Sequence, residues 1–502
     1  MSSTSGIPNH FNPVTTTATD LALALEVGTL SSEIIVRVYL AQIQKRSPPG
    51  VDGRDSLNAL ISVAPEEMLV QRARELDDER RRGYVRGKLH GLPIVVKDAI
   101  MTDPDLGMPT TAGAVAFKDC FAQKNAAVID YLLEQGMIIL GKANLTEFCG
   151  LKAKAITPGW SALGGQTKSA YGNPGASGDD HVDPGGSSAG SAVAVSAGLA
   201  PFALGTETAG STVYPASRAA LYAIKPSHGA VSTEGVFALS KEFDCVGMMA
   251  KSALDLEMLL QGLPLGLGSN NQKESRGKPW EGIKIGFVDP VEWDEIDPYW
   301  SEDEVRSQYE NIPATIAAQG GRIVYPLDAP KKDTIRYDGK SGVHMVSYSQ
   351  SRALFKEFCE GLIDPPVHTL EELVKYNADH PEETMPEPHP DQDELLSALH
   401  NTTSPDTAAQ ILTYIRYHAG PAGMERTMAE HDVDLVAGPS DCNLVTFAAA
   451  AGWPIATVPI GTRVRNGQPF GLFVLGRKGA EGRLLRFMRA YEMAFKRREA
   501  PP

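Results

Sequence analysis

Between Pro184 and Gly229 the chain carries two clusters of glycine and serine separated by an apolar stretch. The first is Gly185-Gly186-Ser187-Ser188-Ala189-Gly190-Ser191, and the second is Gly205-Thr206-Glu207-Thr208-Ala209-Gly210-Ser211. Small residues permit tight turns and let main-chain N–H groups come close to a ligand. A serine at such a turn is a candidate nucleophile for acyl transfer, provided that a base stands beside it. Gly186-Ser187-Ser188-Ala189-Gly190 fits the G-x-S-x-G elbow, with Ser188 at its centre. That elbow has to follow a buried strand directly, and the preceding SGDDHVDPG cannot form one. Ser188 therefore reads as a helix cap or hydrogen-bonding partner rather than as the nucleophile. The eleven histidines show no HExxH pattern and the five cysteines no CxxC spacing. No metal ligand set and no cofactor site are expected.

These clusters need rigid elements around them. Ser188 to Ala197 reads as a helix and Pro201 to Gly205 as a buried strand. Leu92 to Val96 (LPIVV) reads as another buried strand, which delivers Lys97-Asp98 at its end. Ala127 to Gln135 is a predicted helix, Met137 to Leu140 a strand, and Leu145 to Cys149 the start of a further helix. Residues 152–187 form a long loop rich in Gly, Ser, Pro and Asp, a length more usual for functional loops. Helical periodicity covers 18–43, 66–82 and 481–498, with basic residues placed to suit the dipole at the end of the last. Strands are expected at 284–288, 322–325, 434–436 and 455–459, and a helix around 309–318. Residues 266–281 read as a polar linker, and the acidic, Pro-rich 376–393 as an exposed loop or lid. Strands alternate with helices throughout, so the class is α/β: one large domain with a central mixed β-sheet covered by helices on both faces.

The 502 residues carry 62 acidic and 47 basic side chains, a net charge of -15. No basic face for nucleic acid is expected from that balance. No run approaches the ~20 apolar residues of a membrane span. An odd, scattered set of cysteines fits a reducing compartment, so the expected location is the cytoplasm. Residues 1–16 read as a flexible tail and 17–498 as the domain, with motifs concentrated in 90–230.

Several further segments stand in a recognisable order. They are His90-Gly91-Leu92-Pro93-Ile94-Val95-Val96-Lys97-Asp98, Gly141-Lys142-Ala143-Asn144-Leu145-Thr146-Glu147-Phe148, the two Gly/Ser clusters, Ile224-Lys225-Pro226, AGWPIATVPIG and Pro469-Phe470-Gly471-Leu472. Together they resemble the amidase signature family, the Ser–Ser–Lys amidohydrolases, from about Thr19 to the C-terminus. GWSALGGQT and GTET further resemble the stand-alone bacterial and fungal branch that includes peptide amidases.

The resemblance implies specific roles. Ser211 matches the nucleophile, Ser187 the bridging serine beside a cis peptide bond, and Lys97 the base. The main-chain N–H groups of Thr208, Ala209, Gly210 and Ser211 match the oxyanion hole. A solvated lysine is protonated at neutral pH, so the role requires Lys97 to be desolvated. Glu207 is expected either to brace the loop by hydrogen bonds or to be simply buried and paired, Asp98, Asn144 and Glu147 to be structural, and His228 to be a turn residue. Cys149 and Cys245 lie either near a pocket or in the core. Val213 stands where relatives often have Arg, while Arg218 lies five residues further on. The implied activity is hydrolysis of a small-molecule carboxamide, with esters also within reach, by a monomer or homodimer. The competing readings are an amidotransferase component that releases ammonia, acyl transfer to an amine, and an inactive relative. Pocket candidates are 101–111, 156–166 and the divergent 334–423, including Tyr337, Tyr348, Phe355, Phe358, Tyr414 and Tyr417.

Overall fold

The computed structural model describes residues 11–50, 56–172, 182–264, 279–293, 300–495 and 498–502. The first six strands are β1 (Leu60–Val63), β2 (Pro93–Lys97), β3 (Ile138–Ala143), β4 (Trp160–Ser161), β5 (Gly165–Gln166) and β6 (Phe202–Glu207). They are followed by β7 (Tyr222–Lys225), β8 (Cys245–Ala250), β9 (Lys284–Phe287), β10 (Arg322–Val324), β11 (Arg336–Tyr337) and β12 (Lys340–Ser341). The last are β13 (Leu435–Pro439), β14 (Ile455–Thr462) and β15 (Pro469–Gly476). Eleven of them make one mixed sheet in the order β1-β3-β2-β6-β8-β7-β14-β15-β13-β9-β10. The α/β class and the mixed central sheet expected from the sequence are both present.

The sheet's middle explains itself from composition. Every residue of β2, β3 and β6 is buried. Strands covered on both faces read as continuous apolar runs, as PIVV does. β2 pairs in parallel with β3 on one side and β6 on the other, with Val95 opposite Ala203 and Val96 opposite Leu204. The helix Ala189–Ser196 consists only of small or β-branched residues, and all eight are buried. Its small face permits very close packing: a Cβ on Gly190 would lie 2.4 Å from Ala59 O and 2.5 Å from Asn144 N.

Several expectations need correction. The helix expected to start over Leu145–Cys149 is a 3-10 turn, Glu147–Gly150, with Phe148 and Cys149 at φ 51° and 57°. Tertiary contacts override the local pattern there. The Phe148 N–H donates to Ala112 O at 3.0 Å, and its ring packs among Phe117, Phe237 and Phe355. The acidic segment 376–393 is not a free loop. The helices Leu370–Asp379 and Pro381–Thr384 run into it, and Asn377, Thr384, His389 and Gln392 are buried. Its polar groups satisfy one another: Asn377 Nδ2 donates to Gln392 Oε1, and Thr384 Oγ1 to Asn377 O. The terminal helix stops at Ala494, and Arg498, beyond it, donates to Ala220 O and Val14 O instead of facing the helix end. Within the expected tail, residues 1–10 lie outside the described residues. Residues 11–16 contain a turn, and Lys251 Nζ anchors them by donating to Pro13 O and Thr16 O at 2.6 Å each. Most of the expected 266–281 linker also lies outside the described residues.

Candidate active site

Lys97 ends β2 with no measurable exposure. The parallel register brings it beside the end of β6. Its Nζ lies 2.8 Å from Ser187 Oγ, 2.9 Å from Thr206 Oγ1 and 3.4 Å from Thr206 O. Among the described residues no carboxylate stands within ion-pair distance of it. Burial holds the Lys97 amine below the ordinary lysine range. The thiol of Cys149 and the carboxylates of Asp244 and Glu207 pull in the opposite direction. Desolvation without a paired anion favours the neutral amine, the form that can accept a proton.

Ser187 lies on a short irregular strap, residues 184–188, before the buried helix. The Gly186–Ser187 peptide is cis, as the resemblance implies. Ser187 O accepts from Thr146 N at 2.9 Å, so the strap is pinned to the turn that follows β3. Next to it, Ser188 N donates to Ser211 O at 3.1 Å, which brings the two clusters together from opposite ends of the intervening helix and strand. Ser188 Oγ is fully buried, donates to Thr206 O and accepts from Thr206 N. Those bonds make Ser188 a structural partner, as the sequence reading expects. Ser191 Oγ donates to Leu204 O and likewise ties the helix to β6.

After β6 the chain turns through Thr208, Ala209 and Gly210 to Ser211, with Gly210 at φ 90°. That left-handed conformation suits glycine, which carries no Cβ. Two carboxylates brace the turn. Glu207 Oε2 accepts from the N–H groups of Thr212 and Val213 at 2.8 and 3.0 Å, as expected for a bracing residue. Asp244 accepts from Thr208 Oγ1 at 2.6 Å and from the Leu239 and Ser240 N–H groups. Among the described residues, the N–H groups of Thr208, Ala209, Gly210 and Ser211 donate to no acceptor in the chain, and Ser211 Oγ has no hydrogen-bond partner. Thr208, Ala209 and Ser211 are partly exposed. Backbone donors left unused at one turn are able to receive a developing negative charge.

The remaining expected residues fall around this centre. Asp98 pairs with Lys142 at 3.7 Å in full burial and accepts from Thr111 and Gly113 N–H groups. Burial brings Lys142 down to about 8. Asn144 Nδ2 donates to Asn58 O and Gly165 O. Glu147 pairs with Lys152 at 2.7 Å, both buried, and accepts from Ala162 N. All three are structural, as expected. His228 meets Lys241 O through its Nε2, and Cys245 is a buried thiol pushed up to about 11. Among the pocket candidates, Phe355 and Phe358 belong to the apolar core, Tyr337 packs on Tyr414, and Tyr417 points to solvent.

Two neighbours of this centre escape sequence reasoning, and a third, Cys149, is read there only as lying near a pocket or in the core. Thr206 is a second partner for Lys97, although GTET reads only as a family mark. Asp244 comes from a neighbouring strand's lead-in, with no local signal. Cys149 Sγ lies 3.7 Å from Thr206 Oγ1, placed there by the left-handed turn. Among the described residues no group of three His, Cys, Asp or Glu could hold a metal ion.

Residues 51–336 match the model of the family described as Amidase. A solved structure of native peptide amidase from Stenotrophomonas maltophilia superposes with a TM-score of 0.84 at 28% identity, covering 99% of both chains. A probable amidase of Arabidopsis thaliana is 26% identical over 97% of this chain and 91% of its own length. One component of the glutamyl-tRNA(Gln) amidotransferase of Halorhodospira halophila is 32% identical over 61% of this chain and 60% of its own length.

Proposed function

We propose how this chain, which belongs to the amidase family, breaks the carbon–nitrogen bond of its substrate. It is an amidohydrolase that acts on carboxamides. In our reading, neutral Lys97 takes a proton from Ser187 as Ser187 takes one from Ser211. Ser211 Oγ attacks the carbonyl carbon, and the negative charge moves to the carbonyl oxygen. The N–H groups of Thr208, Ala209, Gly210 and Ser211 receive that charge. Collapse of the adduct breaks the C–N bond, while Ser187 passes the proton now on Lys97 to the departing amine. Water then attacks the Ser211 ester by the same relay in reverse, and the acid leaves. No metal or cofactor enters this scheme.

One observation carries the reading. A lysine amine sits fully buried 2.8 Å from a serine hydroxyl, without a carboxylate in ion-pair range among the described residues. The other buried lysines either hold a carboxylate, as Lys142 and Lys152 do, or donate to main-chain carbonyls, as Lys225 and Lys251 do, whereas Lys97 meets the hydroxyl of Ser187 beside a turn of unused N–H donors.

The substrates proposed are small carboxamides, aryl or acyl amides and C-terminally amidated peptides, with esters sharing the same intermediate. Full-length likeness to a peptide amidase supports the stand-alone hydrolase reading. Likeness to the amidotransferase component spans about three fifths of either chain and favours it less. Among the described residues no two cysteines form a disulfide, which supports a reducing compartment such as the cytoplasm, and the active unit proposed is a monomer or homodimer.

A fluorophosphonate reaction followed by peptide mass mapping tests the scheme. The expected adduct is on Ser211, lost in Ser211→Ala and strongly slowed in Lys97→Ala. An adduct on Ser188, or full amide turnover by Ser211→Ala, overturns it.

A further inference from the structure

Four polar side chains outside the proposed relay form a continuous chain between its two serines. Asp441, two residues after β13, pairs with Arg218 at 2.8 Å, and both are about 1% exposed. Arg218 donates to Tyr214 OH at 3.3 Å, and its guanidinium lies over the Tyr214 ring, 5.2 Å from the centroid. Tyr214 OH in turn donates to Asp183 Oδ2 at 3.0 Å. The other oxygen, Asp183 Oδ1, accepts from Gly185 N at 2.8 Å. Gln468, at the entry to β15, grips the Asp183 backbone from the far side. Its Oε1 accepts from Asp183 N, and its Nε2 donates to Asp183 O.

The points where this chain meets the two serine-bearing segments are informative. Gly185 is two residues before Ser187, on a strap without regular secondary structure. Tyr214 is three residues after Ser211, in the short helix Val213–Arg218, and its N–H donates to Gly210 O at 2.8 Å. Contact between strap and helix is already tight: a Cβ on Gly185 would lie 2.7 Å from Pro215 Cα and 3.3 Å from Arg218 Cγ. Each serine is therefore held two or three residues from a hydrogen bond to the same Asp183–Tyr214 pair. The Arg218–Asp441 ion pair fixes Tyr214 to the C-terminal part of the sheet, 223 residues further along the chain.

We propose that Asp183 and Tyr214 are positioning residues that set Ser187 opposite Ser211, with Arg218–Asp441 as their anchor. This inference rests on the Ser211–Ser187–Lys97 reading. Neither residue supplies a proton or touches the reacting carbonyl; each acts on the backbone that carries a serine. The proton relay needs a hydrogen bond between Ser211 Oγ and Ser187 Oγ that this structure does not make, catalytic hydrogen bonds commonly tightening only with substrate bound. An error of about 1 Å in that geometry can cost 10²-fold in rate.

Tyr214→Phe removes one hydroxyl and keeps the ring beneath Arg218. The expected result is a fall in kcat of about 10- to 100-fold, KM within about twofold, and an equal fall in the rate of fluorophosphonate labelling at Ser211. Asp183→Ala should behave alike. Asp183→Asn keeps an amide oxygen for Gly185 N and should recover most of the loss. Thermal unfolding of each variant is measured alongside, because a merely structural role would move unfolding and leave kcat per labelled Ser211 unchanged. Wild-type kcat and labelling rate in Tyr214→Phe overturn the proposal. So does a rise in KM alone, which would make Tyr214 a substrate contact. Absence of labelling at Ser211 in the wild type overturns the underlying relay reading, and the positioning role falls with it. Labelled wild type with an unaffected Tyr214→Phe overturns the positioning role only.

Discussion

Replacing Lys97 by Met tests the site's electrostatics and its chemistry in one variant. Met keeps the volume of the buried side chain and removes the amine. A positioned general base is typically worth about 10²–10⁴ in rate, so kcat should fall by that factor. The effect on stability has two parts. Losing the bonds to Ser187 and Thr206 costs about 1–3 kcal/mol at every pH. The second part depends on pH. Burial lowers the Lys97 pKa from its usual 10.5, so between the folded value and 10.5 the unfolded chain holds a proton that the folded chain does not. Wild-type stability must then rise with pH across that window, by at most about 1.4 kcal/mol per pH unit for one proton. Below the folded pKa and above 10.5 the slope from this group vanishes. Lys97→Met has no such group, and every other titrating residue is common to both chains. The stability difference, variant minus wild type, should therefore be most favourable to the variant at low pH and decline as pH rises toward 10.5. Urea unfolding of both proteins at intervals from about pH 6 to the unfolded-state value reads it directly. Parallel stability curves would refute the desolvated amine, and retained turnover would refute the base.

Further expectations follow from the same geometry. Ser211→Ala should abolish amide turnover and phosphonate labelling while leaving stability within about 0.5 kcal/mol of wild type, because the hydroxyl has no partner among the described residues to lose. Lys152→Met should destabilise by about 3–5 kcal/mol at neutral pH, since it leaves the Glu147 carboxylate buried without its cation. Adding Glu147→Gln should recover much of that loss, as a double-mutant cycle in denaturant would reveal. Gly190→Ala should cost about 1–3 kcal/mol or more, because the new methyl meets backbone atoms that cannot swing aside. Soluble yield and urea midpoint measure that cost.

How much of the molecule is legible in its sequence depends on the range of the interactions. The strand ending at Lys97 can be read from LPIVV, whose β-branched residues suit a sheet buried on both faces. The helix and strand that bring Ser211 back beside Ser188 can also be read, since small residues and turns mark their ends. The motif order supplies the roles. Phe148 and Cys149 cannot be read, because their left-handed turn is imposed by an aromatic cluster drawn from distant segments. Residues 376–393 look exposed from their acids and prolines, yet Asn377, Thr384 and Gln392 exchange hydrogen bonds inside a docked segment. Asp183 and Asp441 give no local sign of a shared purpose, because only the fold brings them to Tyr214 and Arg218.

The order of strands in the sheet bears on how the ribosome delivers this protein. β7 joins the sheet through β8, which is complete at Ala250, but the outer neighbour of β7, β14, begins only at Ile455, about 205 residues later. At about 5–20 residues per second this leaves an open sheet edge for roughly 10–40 s of synthesis. β9 and β10 emerge during that wait and can pair with each other. They join the main sheet only through β13 and β15. The catalytic half can therefore assemble early, while its unpaired rim waits for the last strands of the chain. A nascent chain stalled before β14 would present that rim to other stalled copies, and chaperone demand should peak there.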